Sequence, residues 1–241
     1  MTTTYAEIGL NRTGIATSPA LAEEMIEGTS EFPPGADGDE TVIAHTREDY
    51  AKISDPLGTV PPPTKLRDAA VTAMRGLRGL RPTQFLDKLG ERLAFERTGV
   101  RLYEALISKL DAFGGFPGGP SRAELQEILR EEFEHFRLLT EAVTKVGGDP
   151  TVVTPAADLH ATMNRGVLEV VVDPRTTFAQ CLEAALMAEL ADNEGWQALT
   201  ELASQTGETE LAARFEAAKE EEDEHLENVR SWLAAAQNRP E

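Results

Sequence analysis

The sequence is short of several things, and each shortage removes a class of function. It holds one cysteine, Cys181, in 241 residues, so neither an internal disulfide framework nor a Cys-x-x-Cys metal or redox centre can be built from it. Basic residues are few: 23 Lys and Arg face 42 Asp and Glu, a formal charge of −19. Contact with a nucleic acid needs a basic face for the phosphates, so a nucleic-acid partner is excluded. No apolar run approaches the ~20 residues of a membrane span. The first residues, Met-Thr-Thr-Thr-Tyr-Ala-Glu, have neither the basic start nor the apolar stretch of a secretion signal. A cytoplasmic chain without a membrane span is the expectation, and Asn11-Arg12-Thr13 then fits a glycosylation acceptor only by chance. There are also just four histidines, so the surroundings of each are informative.

What is present is an ordinary globular mixture, 41% apolar and 27% charged, long enough for one sizeable core and an appendage. The acidic excess suits a protein that attracts cations, although most acids belong on solvated helix faces. Residues 1–64 show no convincing periodicity beyond a short helical candidate at Ser18–Glu27, and they contain His45. Residues 65–81 carry Lys65, Arg67, Arg75, Arg78 and Arg81 among spaced apolar residues, the pattern of a short basic amphipathic helix. Residues 1–81 are therefore read as an N-terminal extension and 82–237 as the main domain, with 238–241 a tail.

The main domain reads as helices throughout. The first runs from Pro82 to about Phe113 and stops in Gly114-Gly115-Phe116-Pro117-Gly118-Gly119-Pro120. The second opens on Ser121 with Glu124 at the third helical position, a capping box, and runs to about Val146. A long connection follows, with a helical candidate over 156–172. The third helix is expected to start after Asp173-Pro174, a capping acid with proline at the first helical position, and to reach about Ser204. The fourth occupies about 208–236. Cys181 falls at helical spacing among apolar neighbours, as a small core residue would. Two short-looped pairs joined by a long crossover make an all-α, ferritin-like four-helix connectivity.

Chemistry enters with Glu132-Phe133-Glu134-His135 and its echo Glu222-Asp223-Glu224-His225. In a helix, residues three apart lie about 60° apart around the axis and about 4.5 Å along it, so Glu132 with His135, and Glu222 with His225, can each reach one metal ion. The helix before each step carries a lone glutamate in apolar surroundings, Glu96 and Glu189, where a charge is costly unless paired or metal-bound. Glu131 and Glu221 stand four before each histidine, and Glu134 and Glu224 one before, as competing choices. Seven residues after each lone glutamate stands an aromatic, Tyr103 and Trp196, on its glutamate's face. Four carboxylates and two neutral imidazoles balance two divalent ions.

With these tokens, the chain resembles the ferritin-like superfamily of ferritins, bacterioferritins, rubrerythrins and manganese catalases, over about residues 82–237. The resemblance implies a left-handed four-helix bundle around a di-metal centre. Its ligands would be Glu96, Glu132, His135, Glu189, Glu222 and His225, with His135 on one ion and His225 on the other. The ions would be two Fe, or else Mn or a mixed Mn/Fe pair. Tyr103 and Trp196 are the candidate catalytic aromatics, as hydrogen-bond or electron donors, or else complete the core. The activity implied is a two-electron oxidation by O2 or H2O2 of Fe2+ or a small-molecule substrate, as oxidase, ferroxidase or peroxidase, in a homo-oligomer of two or more chains. Iron storage and a metal-free structural bundle are the alternatives. The chain lacks a rubredoxin-type Cys-x-x-Cys module, which argues against an internal rubrerythrin-like electron relay.

Overall fold

The computed structural model describes residues 19–31, 41–62, 69, 73 and 82–238. Its helices are α1 (Pro19–Glu31), α2 (Thr41–Ile53), α3 (Pro82–Phe113), α4 (Arg122–Lys145), α5 (Pro155–Val172), α6 (Phe178–Gln205) and α7 (Thr209–Gln237). The described residues contain no strand, so the protein is all-α as expected. The chain divides into two compact units, Met1–Pro56 and Leu57–Glu241.

In the first unit, α1 covers most of the expected helical stretch and continues to Glu31. Helix α2 was not expected. None of its residues is buried. Local bonds hold it, among them Lys52–Glu48 at 2.8 Å and the Thr46 hydroxyl donating to the Val42 carbonyl at 2.9 Å. His45 lies on it, exposed, 3.7 Å from Glu48. The expected basic helix over 65–81 and Asn11-Arg12-Thr13 lie outside the described residues, save positions 69 and 73 of the former.

In the second unit, hairpins α3–α4 and α6–α7 make the most extensive contacts, and α3 and α4 also meet α6 and α7 respectively. Helix α5 is the crossover and packs on α3 and α6. The capping box at Ser121 forms as expected: Ser121 accepts from the Glu124 amide, and the Glu124 carboxylate accepts from the Ser121 amide. One boundary is corrected. Helix α6 begins at Phe178, not after Asp173-Pro174, because Thr177 and Gln180 form a reciprocal capping box there. Asp173 instead ends α5, and its carboxylate is taken by the Arg175 side chain and amide. The buried Lys109 ammonium fixes this turn, donating to the Asp173 carbonyl and to the Thr176 carbonyl and hydroxyl.

The apolar interior falls into two clusters. One contains Phe95, Leu102, Tyr103, Leu106, Leu182, Ala185, Val229 and Trp232. The other contains Leu89, Leu93, Leu139, Trp196, Leu199, Phe215 and Ala218. On each bundle helix the sequence passes from one cluster to the other at a polar step: Glu96 on α3, Glu132 and His135 on α4, Glu189 on α6, Glu222 and His225 on α7. Cys181 is a buried free thiol in the first cluster, as its spacing suggested.

Candidate metal centre

All eight residues singled out in the sequence are buried, and the six candidate ligands converge on the layer between the apolar clusters. Donor atoms of Glu132, Glu189, Glu222 and His225 lie within 4.8 Å of one another, as do those of Glu96, His135 and Glu222. Glu222 belongs to both groups and stands between the histidines. Its Oε1 is 2.7 Å from His135 Nδ1, and its Oε2 is 3.0 Å from His225 Nδ1. The imidazole centroids are 6.2 Å apart.

The glutamates four before each histidine act from outside. His135 Nε2 bonds Glu221 at 2.7 Å, and His225 Nε2 bonds Glu131 at 2.9 Å, each across to the other hairpin. Each outer carboxylate fixes its ring so that Nδ1 faces the cluster, the usual support for a metal-binding imidazole. Glu134 pairs instead with Arg130 on the surface, away from the cluster.

The two aromatics serve across the bundle rather than on their own helix. The Tyr103 hydroxyl donates to Glu189 Oε1, not to Glu96, and its ring lies 6.4 Å from that of His225. Trp196 stands edge-on to His135 at 5.3 Å, with its indole N–H buried and unbonded.

Two members of the layer escaped the sequence reading. Arg92, fully buried, donates through Nη2 to Glu96 and to Asp192. Asp192 is also buried, and its donor atoms share a third group with Glu96, Glu132 and Glu222. Spacing could have found both: Arg92 is one turn before Glu96 and Asp192 one turn after Glu189. Two helical glycines give the layer its room. A Cβ at Gly99 would lie 2.0 Å from Glu132 Oε2, and one at Gly195 would lie 2.4 Å from Arg92 Nη1.

Burial and crowding set the protonation states. Burial, then the Glu222 charge, pushes Glu189 up to about 8. The same two causes, with Glu96, raise Glu132 well above the carboxylate range. Burial raises Glu96 although the Arg92 guanidinium opposes it. Burial would raise Glu222 too, but the two histidines beside it outweigh burial and hold it at about 2. Burial disfavours charge on the histidines, yet the carboxylates around them prevail and push His135 to about 9 and His225 to about 12. Tyr103 is raised well above its ordinary value by burial and the Glu189 charge. Without bound cations, then, the layer keeps protons that its carboxylates and imidazoles would otherwise release.

The donor set fits a metal pair. Glu96 Oε2, Glu132 Oε2, Glu189 Oε2 and Glu222 Oε1 are buried without any hydrogen bond. His135 Nδ1, though 2.7 Å from Glu222, makes no aligned bond either. Orphaned buried acceptors in such number are costly in a native interior, and divalent ions would satisfy them all with oxygen and imidazole ligands of the right kind. Among the described residues, no helix is long and apolar enough to cross a membrane.

A family model described as a ferritin-like domain matches residues 120–238, which include α4 to α7 with Glu132, His135, Glu189, Glu222 and His225. No curated protein and no solved structure matches the chain. Helix α3, which lies before the matched range, supplies Glu96 to the same buried layer. With this match, the hairpin–crossover–hairpin order and the buried carboxylate–histidine layer, the chain carries a ferritin-like domain.

Proposed function

We propose that the chain is a non-haem di-metal carboxylate protein that uses O2 or peroxide for two-electron oxidation of Fe2+ or a small molecule, as an oxidase or ferroxidase. The observation that carries this reading is the set of orphaned donor atoms on six converging buried residues. Glu96 and His135 would hold one ion and Glu189 and His225 the other, with Glu132 and Glu222 between them. Two iron ions fit this oxygen-rich set with one imidazole each, and manganese or a mixed pair fits by the same chemistry. Such a pair supplies two electrons to a bound oxidant and recovers them from the substrate.

The chain's own residues do the rest. The apolar clusters on both sides keep bulk water from the layer. Glu131 and Glu221 hold the rings with Nδ1 inward. Tyr103 orients Glu189 and holds a proton at its hydroxyl, within the layer. Trp196 lies against His135 and could pass an electron through that contact.

Elemental analysis of protein from cells grown with ample iron and manganese is the test. About two ions per chain are expected from the charge balance of four carboxylates. None at all would sink the reading, and zinc alone would point to a structural centre. A homo-oligomer of a few chains in size exclusion fits the oxidase, whereas a many-subunit shell fits storage.

A further inference from the structure

The two halves of the layer are related by the internal repeat but are not equivalent. Four residues before each lone glutamate stand Arg92 on α3 and Ala185 on α6. Three residues after stand Gly99 on α3 and Asp192 on α6. Each hairpin thus carries one charged residue where the other carries a small one: a cation on α3 and an extra carboxylate on α6.

Arg92 and Asp192 meet at the Glu96–His135 end. The guanidinium lies 4.5 Å from the Phe95 ring and 5.5 Å from Trp196, the indole that abuts His135. Its Nε and Nη1 have no acceptor, and the missing side chain at Gly195 gives it space. A buried cation with unmet N–H groups is expensive. Here it holds Glu96 Oε1 and leaves only Oε2, 3.8 Å from His135 Nδ1, open to an ion beside His135. Among the described residues, no Lys or Arg pairs with Glu132, Glu189 or Glu222, so the His225 half has no such competitor.

We propose that Arg92 is a built-in competitor cation that makes the centre fill in order, the His225 half first and tightly, the His135 half second and more weakly. To give the second ion both of its oxygens, Glu96 must turn from Arg92 to the metal, and Asp192 then remains as the guanidinium's partner. The Arg92–Asp192 pair is neutral, so the four remaining carboxylates still balance two divalent ions. Arg92 is on this account a positioning residue. The inference rests on the di-metal reading above.

The test is an anaerobic titration of metal-free, full-length protein with Mn2+, followed by electron paramagnetic resonance and calorimetry. Up to one equivalent, only magnetically isolated Mn2+ is expected; the exchange-coupled pair should appear between one and two. The second ion should bind roughly 10- to 100-fold more weakly, the scale of a charge-assisted hydrogen bond that must be given up. His135→Ala should keep the first step and lose the second, and His225→Ala should lose the first. The charge-neutral double variant Arg92→Met/Asp192→Asn should bring the two affinities together, with coupled signal from the earliest additions. Coupled signal from the start in the wild type would overturn the ordering on its own, even were the double variant unable to fold. So would an unchanged affinity gap in a double variant with native circular dichroism. Either result leaves the metal centre standing, whereas a wild type that binds no Mn2+ removes both.

Discussion

Glu189 gives a quantitative handle on the layer. Its carboxylate, pushed up to about 8 from 4.5 by burial and the Glu222 charge, is a burden on the metal-free fold. The folded chain binds this proton more tightly than the unfolded one, so the contribution is intact below pH 4.5 and is lost as pH rises through 8. At pH 7 the loss covers 2.5 pH units (7 − 4.5), which at about 1.36 kcal/mol per unit is on the order of 3 kcal/mol. Glu189→Gln removes the burden while keeping the oxygen that accepts from Tyr103, so no new orphan hydroxyl offsets the gain. For a bundle of this size, ~3 kcal/mol corresponds to roughly 6–12 °C in Tm. Thermal melts in excess chelator, from pH 4.5 to 8.5, should show wild type and Glu189→Gln nearly equal at the acid end and diverging upward. Saturating Fe2+ or Mn2+ under anaerobic conditions should then raise the wild type far more than the variant, since binding stabilises only the fold that can hold the ion. A variant less stable than wild type at pH 7–8, or a gap that does not change with pH, would refute the assignment of Glu189 as a buried, metal-dependent carboxylate.

Three further outcomes follow from the same geometry. Glu222→Gln should act in the opposite sense: Glu222 is held at about 2 by both histidines, so the metal-free variant should be less stable than wild type at pH 7, the gap closing as pH falls from 4.5 toward 2. Glu131→Gln and Glu221→Gln, which loosen the imidazoles from outside and remove a charge that holds them protonated, should lower the metal-free Tm at pH 7 and weaken metal binding by about 10- to 100-fold in a chelator competition; unchanged affinity would mean the rings need no such support. Gly99→Ala places a methyl 2.0 Å from Glu132 Oε2, so Tm should hold or rise by the helix gain of about 1 kcal/mol while metal affinity drops. A falling Tm with affinity intact would show that Glu132 cannot swing aside and is not a ligand.

By itself the sequence determined the four bundle helices and the carboxylate–histidine steps. Capping residues and glycine-rich breaks are local signals, which is why the capping box at Ser121 reads off directly. Buried polar residues at helical spacing are equally local, so the convergence of Glu96, Glu132, His135, Glu189, Glu222 and His225 was legible before any coordinates. Local signals failed where two competed or none existed. The Thr177 box overrode the proline rule at the start of α6, and α2, which buries none of its residues, was not expected. What only the tertiary structure decided was who faces whom. Seven residues carry Tyr103 about 10 Å along α3 from Glu96, and the packing of the second hairpin then hands it Glu189. The same packing sends Glu131 and Glu221 to the opposite hairpin's histidines. It also joins Arg92 to Asp192, 100 residues away in the chain. Helix periodicity fixes the face on which a side chain lies, but its partner across the bundle depends on how two hairpins settle against each other, which no local spacing encodes.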